Sequence, residues 1–147
     1  MPINCPIEDR LAMQDQMIAY AHAVDSMHDI DGICAVFTED AVFDLTRIGL
    51  IEHHGHAGIR ALFESVFASM SHHGHYLSNF AVTAYTADRA SMRAYVDAKG
   101  LGKDGSSLNV LGRYYFDFRR TNDGWKAERY TLDLLLPPAG SLDKIRA

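Results

Sequence analysis

Apolar residues recur at helical spacing in three stretches of the first half of the chain. The first stretch predicts one amphipathic helix over residues 7–28, and Pro6 suits its first turn. Its apolar positions are Leu11, Met17, Ile18, Ala21 and Val24. A second, short helix is predicted to end near Thr38. The third stretch predicts a helix that leads directly into residue 71. Its apolar positions are Ile59, Leu62, Phe63, Val66, Phe67 and Met70.

Alternation of apolar and polar residues predicts strands in the rest of the chain. Residues 41–45 alternate, and residues 51–54 are a candidate hairpin partner across Gly49. Four longer strand-like segments follow, separated by turn-forming residues, at 75–86, 90–100, 108–120 and 125–136. Helices first and then a long antiparallel meander predict an α+β fold. A sheet that curls over helices encloses a pocket, where converging polar groups are candidates for chemistry.

The length of 147 residues suits one domain. We predict a single domain over residues 1–147, with a core at 7–136 and a C-terminal tail at 137–147. The start of the chain has no basic segment followed by an apolar one, so a signal peptide is not expected. No apolar run reaches the ~20 residues that span a bilayer. Cys5 and Cys34 have no zinc or disulfide spacing, which favours a reduced, cytoplasmic protein.

The charge of the chain limits its partners. Its net charge is −5, and its basic residues are scattered singly. Such a chain has no electrostatic footprint for nucleic acid or for an anionic membrane. We therefore expect a small-molecule partner instead.

Candidate chemistry concentrates in residues 71–79, SHHGHYLSN, at the start of a predicted strand. Imidazole has an unperturbed pKa near 6.5 and exchanges a proton easily at neutral pH. With the strand starting at residue 75, alternation puts His75, Leu77 and Asn79 on one face. His72 and His73 are then expected in the preceding loop and at the rim of the pocket.

The tetrapeptide HHGH occurs twice, at residues 53–56 and 72–75, and raises the question of a metal site. Imidazole binds zinc, nickel and copper. However, adjacent strand residues point to opposite faces, and neither copy has the i, i+4 spacing that brings two rings to one ion. We therefore predict no metal site and no cofactor.

Four sequence pieces together resemble the SnoaL-like branch of the NTF2-like superfamily. They are Y-x4-D at the end of the first helix, FTEDAVFD after the second, HYLSN at the start of a strand, and GRYYFDFRRTNDGWKAER near the end. The resemblance covers residues 7–136. It is strongest to the group with scytalone dehydratase, the bile-acid dehydratase and the hexachlorocyclohexane dehydrochlorinase. These cofactor-free lyases fold as an α+β cone, a curved antiparallel sheet packed on three N-terminal helices, and use a His–Asp pair.

The resemblance implies a set of site residues in this chain. His75 takes the place of the catalytic base, and Asp25 that of the carboxylate that orients it. Tyr20, Tyr114 and Arg129 take pocket positions as substrate-binding residues, and Asn79 shares the face of His75. Scytalone dehydratase has a second catalytic histidine where this chain has Tyr114, which argues against scytalone as the substrate.

The residues alone also allow structural roles. His75 is then a half-buried histidine at a sheet edge, and Asp25 caps the helix end. Arg129 pairs with a carboxylate across strands, while Tyr20 and Tyr114 are core aromatics. Tyr20 and Asp25 lie about 140° apart around an ideal helix, so they share a face only if the helix end distorts.

The function expected from these features is a cofactor-independent lyase that eliminates water from a small, mostly apolar ring compound. One alternative is an isomerase or polyketide cyclase on the same pocket, and another is a non-catalytic binding or assembly domain. We also expect a homo-oligomer, either a dimer or a trimer, because Tyr76, Phe80 and Val82 are predicted on the outer face of the sheet.

Overall fold

A computed structural model describes residues 2–140 of the protein. The three helices are α1 (Ile7–Asp25), α2 (Ile30–Val36) and α3 (Gly55–Ser69). Helix α1 begins directly after Pro6, with Glu8 and Asp9 in its first turn, where negative charge is favourable. Helix α2 is capped by the side chain of Asp29, which accepts a hydrogen bond from the Gly32 amide.

The strands form one open, curved sheet. They are β1 (Phe37–Asp44), β2 (Glu52–His54), β3 (Met70–Tyr85), β4 (Arg89–Gly102), β5 (Ser107–Thr121), β6 (Gly124–Leu134) and β7 (Ala139–Gly140). The order across the sheet is β2-β1-β6-β5-β4-β3, with β7 paired to β5. The predicted meander runs from β3 to β6, but β1 pairs with β6 in parallel, so the sheet is mixed. The predicted α+β cone is confirmed.

The core lies between the concave face of the sheet and the helices. Tyr20 of α1 is in edge-to-face contact with Tyr114 and Phe116 of β5 and with Tyr130 of β6. Phe43 of β1 stacks on Tyr130, with ring centroids 3.8 Å apart. Aromatic pairs contribute about 0.5–1.5 kcal/mol each beyond their buried area. The aromatic cluster therefore joins α1 to the middle of the sheet.

Strand β3 starts earlier than the sequence predicts. It begins at Met70, directly after α3, and pairs with β4 from there to Tyr85. The predicted start at residue 75 is wrong, because the sheet continues through the histidine-rich segment instead of leaving it as a loop. His72 and His73 are strand residues, and His73 pairs across from Gly100.

A β-bulge interrupts β3 at Asn79. Asn79 has φ of 56°, in the left-handed region, and the register to β4 shifts between Ser78 and Ala81. A bulge adds one residue to its strand and moves the following side chains to the other face. Phe80 and Val82 therefore pack against the core. Their predicted place on the outer face is wrong, and of the three apolar residues expected there only Tyr76 is strongly exposed, at 76%.

The predicted tail at residues 137–147 is described only in part. Residues 139–140 form β7 on Leu108 and Asn109 of β5, and residues 141–147 lie outside the described part of the chain. Within residues 2–140, no helix combines the length and the apolar character needed to cross a bilayer.

Candidate active site

A cavity opens between α1, α3 and the concave face of the sheet. It measures about 730 Å³ including its open mouth. Its walls are predominantly aliphatic and aromatic, and they include Val24, Phe63, Val66, Val96, Val110 and Leu132. The polar residues of the lining come from α1, β3, β5 and β6, and Lys99 of β4 also lines the cavity while its ammonium pairs with Asp97. Such a cavity suits a small apolar ligand held by a few polar groups.

His75 and Asp25 meet at one wall of this cavity. Nδ1 of His75 lies 2.5 Å from Oδ1 of Asp25, and the backbone N–H of His75 donates to Oδ2 at 2.9 Å. Asp25 is the last residue of α1, so both of its carboxylate oxygens reach the start of β3. The predicted contact between the two side chains is present. The carboxylate accepts and does not donate, so Nδ1 carries a proton, and in the neutral form of the ring Nε2 presents its lone pair.

Asp25 is held in its charged form. Burial alone would raise the pKa of its carboxyl, but the hydrogen bonds and the charge attraction of His75 outweigh burial, so the pKa lies below its usual value. A carboxylate at the C-terminal end of a helix also faces the negative end of the helix dipole. The His75 contacts therefore stabilise an anion that its position on α1 disfavours.

Three phenols form a second polar group in the cavity. Tyr20, Tyr114 and Tyr130 all line it, and their rings contact one another with centroids 5.1–5.7 Å apart. Burial is the main reason why the pKa of each lies above its usual value, and the charge of Asp25 adds to the rise for Tyr20 and Tyr114. The phenols therefore stay protonated and can donate hydrogen bonds into the cavity.

His73 also lines the cavity, next to His75. The two rings have centroids 5.9 Å apart and meet at 85°. Residues i and i+2 of a strand share a face, and β3 includes both histidines. The predicted place of His73 in a loop at the rim is therefore wrong. His72 is exposed, and its Nδ1 contacts the hydroxyl of Ser71.

Two predicted substrate-binding residues lie away from the cavity lining. Arg129 shares the outer face of β6 with Thr131 and Asp133, and its Nη2 donates to Asp44 at 2.6 Å and to Glu52 at 3.2 Å. The structure therefore gives Arg129 the cross-strand ion pairs that the residues alone allowed. Asn79 is exposed at the bulge and does not share the face of His75, since the positive φ breaks the alternation of β3.

The first HHGH copy has structural contacts. His53 is buried, and burial followed by the charge of His54 lowers its pKa. Nε2 of His56 contacts the carbonyl oxygen of Phe37 at 2.9 Å. Across residues 2–140, no three side chains of His, Cys, Asp or Glu converge as a metal ion would require.

The sequence prediction missed the place of His73 in the cavity lining and did not consider Tyr130. A signal for each was present. Alternation applied from Met70 onward puts His73 on the face of His75, and alternation in the last strand puts Tyr130 and Leu132 opposite Arg129. For His73, the missing information was the residue at which β3 starts.

Comparison with known proteins gives the family. The sequence profile of the SnoaL-like domain family matches residues 6–131. No curated protein matches the sequence significantly. A Novosphingobium aromaticivorans protein provisionally named an aromatic ring hydroxylase is 64% identical, with a TM-score of 0.96 over 97% of this chain and 100% of that one.

Two further solved structures are 18% identical and share the fold. One, also from N. aromaticivorans, is provisionally named a scytalone dehydratase and has a TM-score of 0.82 over 92% of this chain and 89% of that one. The other is a hexachlorocyclohexane dehydrochlorinase from Novosphingobium barchaimii, with a TM-score of 0.79 over 93% and 92% of the two chains. The profile match spans most of the chain, so the protein belongs to the SnoaL-like domain family of NTF2-like proteins.

Proposed function

We propose that the protein is a cofactor-independent lyase that eliminates water from a small cyclic ketone or a similar ring compound. The observation that carries this proposal is the contact of His75 Nδ1 with Asp25 at the wall of an apolar cavity. A base oriented by a carboxylate, in a site with few polar groups, suits removal of a proton from carbon.

The proposed reaction uses His75 as the base. Its Nε2 takes the proton from the carbon next to a carbonyl, and the electron pair of that C–H bond forms the new C=C bond. The C–O bond to the β-hydroxyl breaks, and the imidazolium returns its proton to the departing oxygen, so water leaves. Asp25 keeps the proton on Nδ1 and stabilises the imidazolium while it exists.

The phenols supply the second half of the proposed site. The resemblance implies Tyr20 and Tyr114 as substrate-binding residues, and Tyr130 joins them in one cluster of phenols. Donors fixed in a low-dielectric cavity stabilise negative charge that develops on a carbonyl oxygen. The phenols supply these donors without Arg129, whose guanidinium is paired with Asp44 on the outer face.

The relatives support the ligand class. A dehydrochlorinase and a provisional dehydratase share this fold, and both names describe eliminations. The 64% identical relative is provisionally named for an aromatic ring, which supports a planar ring compound as the ligand.

The phenol cluster also favours a second candidate function, an isomerase. If the substrate has no leaving group beside the acidic carbon, the phenols stabilise an enolate, and His75 returns the proton to a different carbon. A non-catalytic domain has less support. A filled pocket or a His75 without a carboxylate partner would favour such a domain, whereas the cavity is open and Asp25 contacts His75.

The experiment that tests the proposal follows cyclic β-hydroxyketones by mass spectrometry in heavy water. A lyase gives a product lighter than the substrate by one water, and an isomerase gives a product of unchanged mass apart from deuterium exchange. His75→Ala should abolish both. The proposal is wrong if the wild-type protein dehydrates none of these ketones, and exchanges deuterium into none of them, faster than the His75→Ala variant does.

A further inference from the structure

His73 is a cavity residue without a role in the proposed reaction. Its position is fixed by three neighbours: Phe67 of α3, whose ring centroid lies 6.3 Å away, His75 at 5.9 Å, and Gly100 of β4 across the strand pair. A Cβ on Gly100 would lie 3.5 Å from Cδ2 of His73 and would clash with the end of Met70. The glycine therefore leaves room for the end of the Met70 side chain, and the His73 ring lies in ordinary contact distance beside it.

The backbone of α1 sets the tautomer of His73. Its Nδ1 lies 3.5 Å from the carbonyl oxygen of Val24, a long hydrogen bond. A carbonyl oxygen only accepts, so Nδ1 carries the hydrogen and Nε2 presents a lone pair. Within residues 2–140, no protein group hydrogen-bonds to this Nε2, and the atom is not fully buried. The lone pair is therefore accessible from the cavity.

His73 also stays neutral while His75 changes charge. Burial first, and then the positive charge of His75, lower the pKa of His73, although the Val24 contact and Asp25 act in the opposite direction. When His75 takes up a proton, a second positive charge 5.9 Å away becomes still less favourable. Nε2 of His73 is thus an acceptor before and after proton transfer.

We propose that His73 is a specificity-determining residue whose Nε2 accepts a hydrogen bond from a hydroxyl group of the ligand, beside the carbon that His75 deprotonates. The inference rests on the proposed function, because it takes this cavity as the substrate site. It adds a requirement on the ligand: a carbonyl at the phenol cluster and a hydroxyl donor at His73. A ligand without that hydroxyl leaves a desolvated lone pair unpaired, which weakens binding.

The test compares the binding of acetophenone with that of its meta- and para-hydroxy derivatives by NMR titration. Acetophenone supplies the carbonyl, and its two derivatives add a hydroxyl at two different distances from that carbonyl. We expect at least one derivative to bind the wild-type protein roughly three- to tenfold more tightly than acetophenone, the range for one hydrogen bond. His73→Phe keeps the ring and removes the acceptor. It should abolish the preference for the hydroxy derivatives over acetophenone.

Two further variants make the result unambiguous. His72→Phe changes the exposed neighbour in the same way and should keep the wild-type preference. His73→Gln restores an acceptor oxygen and should recover part of it, which separates hydrogen bonding from a packing defect. A wild-type protein that prefers neither derivative, or a preference that persists in His73→Phe, overturns the inference. Because binding is measured without turnover, the role of His73 can stand even if His75 proves not to be a base.

Discussion

At the scale of single residues, His75 and Asp25 are separated by 50 positions and yet share two contacts. The backbone N–H of His75 fixes one carboxylate oxygen, and the ring fixes the other. The carboxylate is therefore held even when the ring moves. Asp25 therefore has two functions: one oxygen joins α1 to β3, and the other orients the imidazole.

Asp25→Asn should separate these jobs. The amide oxygen can still accept from the backbone N–H of His75, so the fold is retained. The amide cannot stabilise an imidazolium, so we expect turnover of the identified substrate to fall by about 10²–10⁴-fold. Steady-state kinetics and a thermal melt measure the two effects. A variant with near wild-type turnover would show that Asp25 has only the structural job.

A second prediction concerns stability and pH. The pKa of His73 is lowered in the folded protein, mainly by burial. As the pH falls through the range of an ordinary histidine, the unfolded chain binds more protons than the folded one, so folding stability decreases. His73→Gln should therefore reduce the loss of melting temperature between about pH 7.5 and 5.5. His53 has the same direction of shift and accounts for a remaining slope. An unchanged slope in the variant would contradict this account.

The site was predictable from the sequence only where the resemblance supplied a pairing. The contact between His75 and Asp25 follows from aligned motifs, since no local pattern connects residues so far apart. Arg129 was misplaced in the pocket because the aligned position carried no information about its partners Asp44 and Glu52. His73 was missed because its place depends on where β3 begins.

At the scale of elements, the strands differ from the predicted ones mainly at irregularities. Three strands were predicted within about two residues of their observed bounds, whereas β3 was predicted five residues short at its start. Alternation alone could not reveal the bulge at Asn79, because asparagine tolerates positive φ better than most residues but does not by itself require a bulge. The bulge inverts the faces of β3 and brings Phe80 and Val82 to the core.

Glycine positions in the sheet give a third prediction. A Cβ at Gly112 of β5 would lie 2.5 Å from the carbonyl oxygen of Asp133 on β6. Backbone must move to relieve this contact, so Gly112→Ala should lower the free energy of unfolding by about 1–3 kcal/mol. Gly74→Ala on β3 is the matched control, since no heavy atom lies within 4 Å of its added Cβ. Urea denaturation measures both, and equal stability of the two variants would contradict the packing argument.

At the scale of the whole molecule, one carboxylate ties the start of α1 to the far end of the sheet. Asp9 accepts hydrogen bonds from the hydroxyl of Tyr85 at 2.5 Å, from Nη2 of Arg120 at 2.8 Å and from Nε1 of Trp125 at 3.1 Å. These partners belong to β3, β5 and β6. The contacts join the start of α1 to the end of β3, whereas His75 lies near the start of that strand.

Removal of this carboxylate gives a fourth prediction. Asp9→Ala leaves the Tyr85 and Trp125 donors without their acceptor, and we expect a loss of about 2–4 kcal/mol in unfolding free energy. Asp15→Ala, on the exposed side of the same helix, should change stability by less than about 0.5 kcal/mol. Denaturant titration measures the unfolding free energy of both variants, and equal losses would contradict the role of Asp9 in joining α1 to the sheet.

Self-association stays a prediction. It was argued from three apolar residues on the outer face of the sheet, and the bulge leaves only Tyr76 strongly exposed there. The overall cone, by contrast, was predictable, because the order of helices and strands and the family resemblance agree. The parallel contact of β1 with β6 was not, since it joins segments more than eighty residues apart.

The central claim is that His75 removes a proton from carbon. The most direct measurement is kcat/KM of His75→Ala on the identified substrate, relative to wild type, with His72→Ala as the control for substitution in the same strand. The account predicts a loss of about 10²–10⁴-fold for His75→Ala and little change for His72→Ala. Turnover by His75→Ala within a factor of a few of wild type would contradict it.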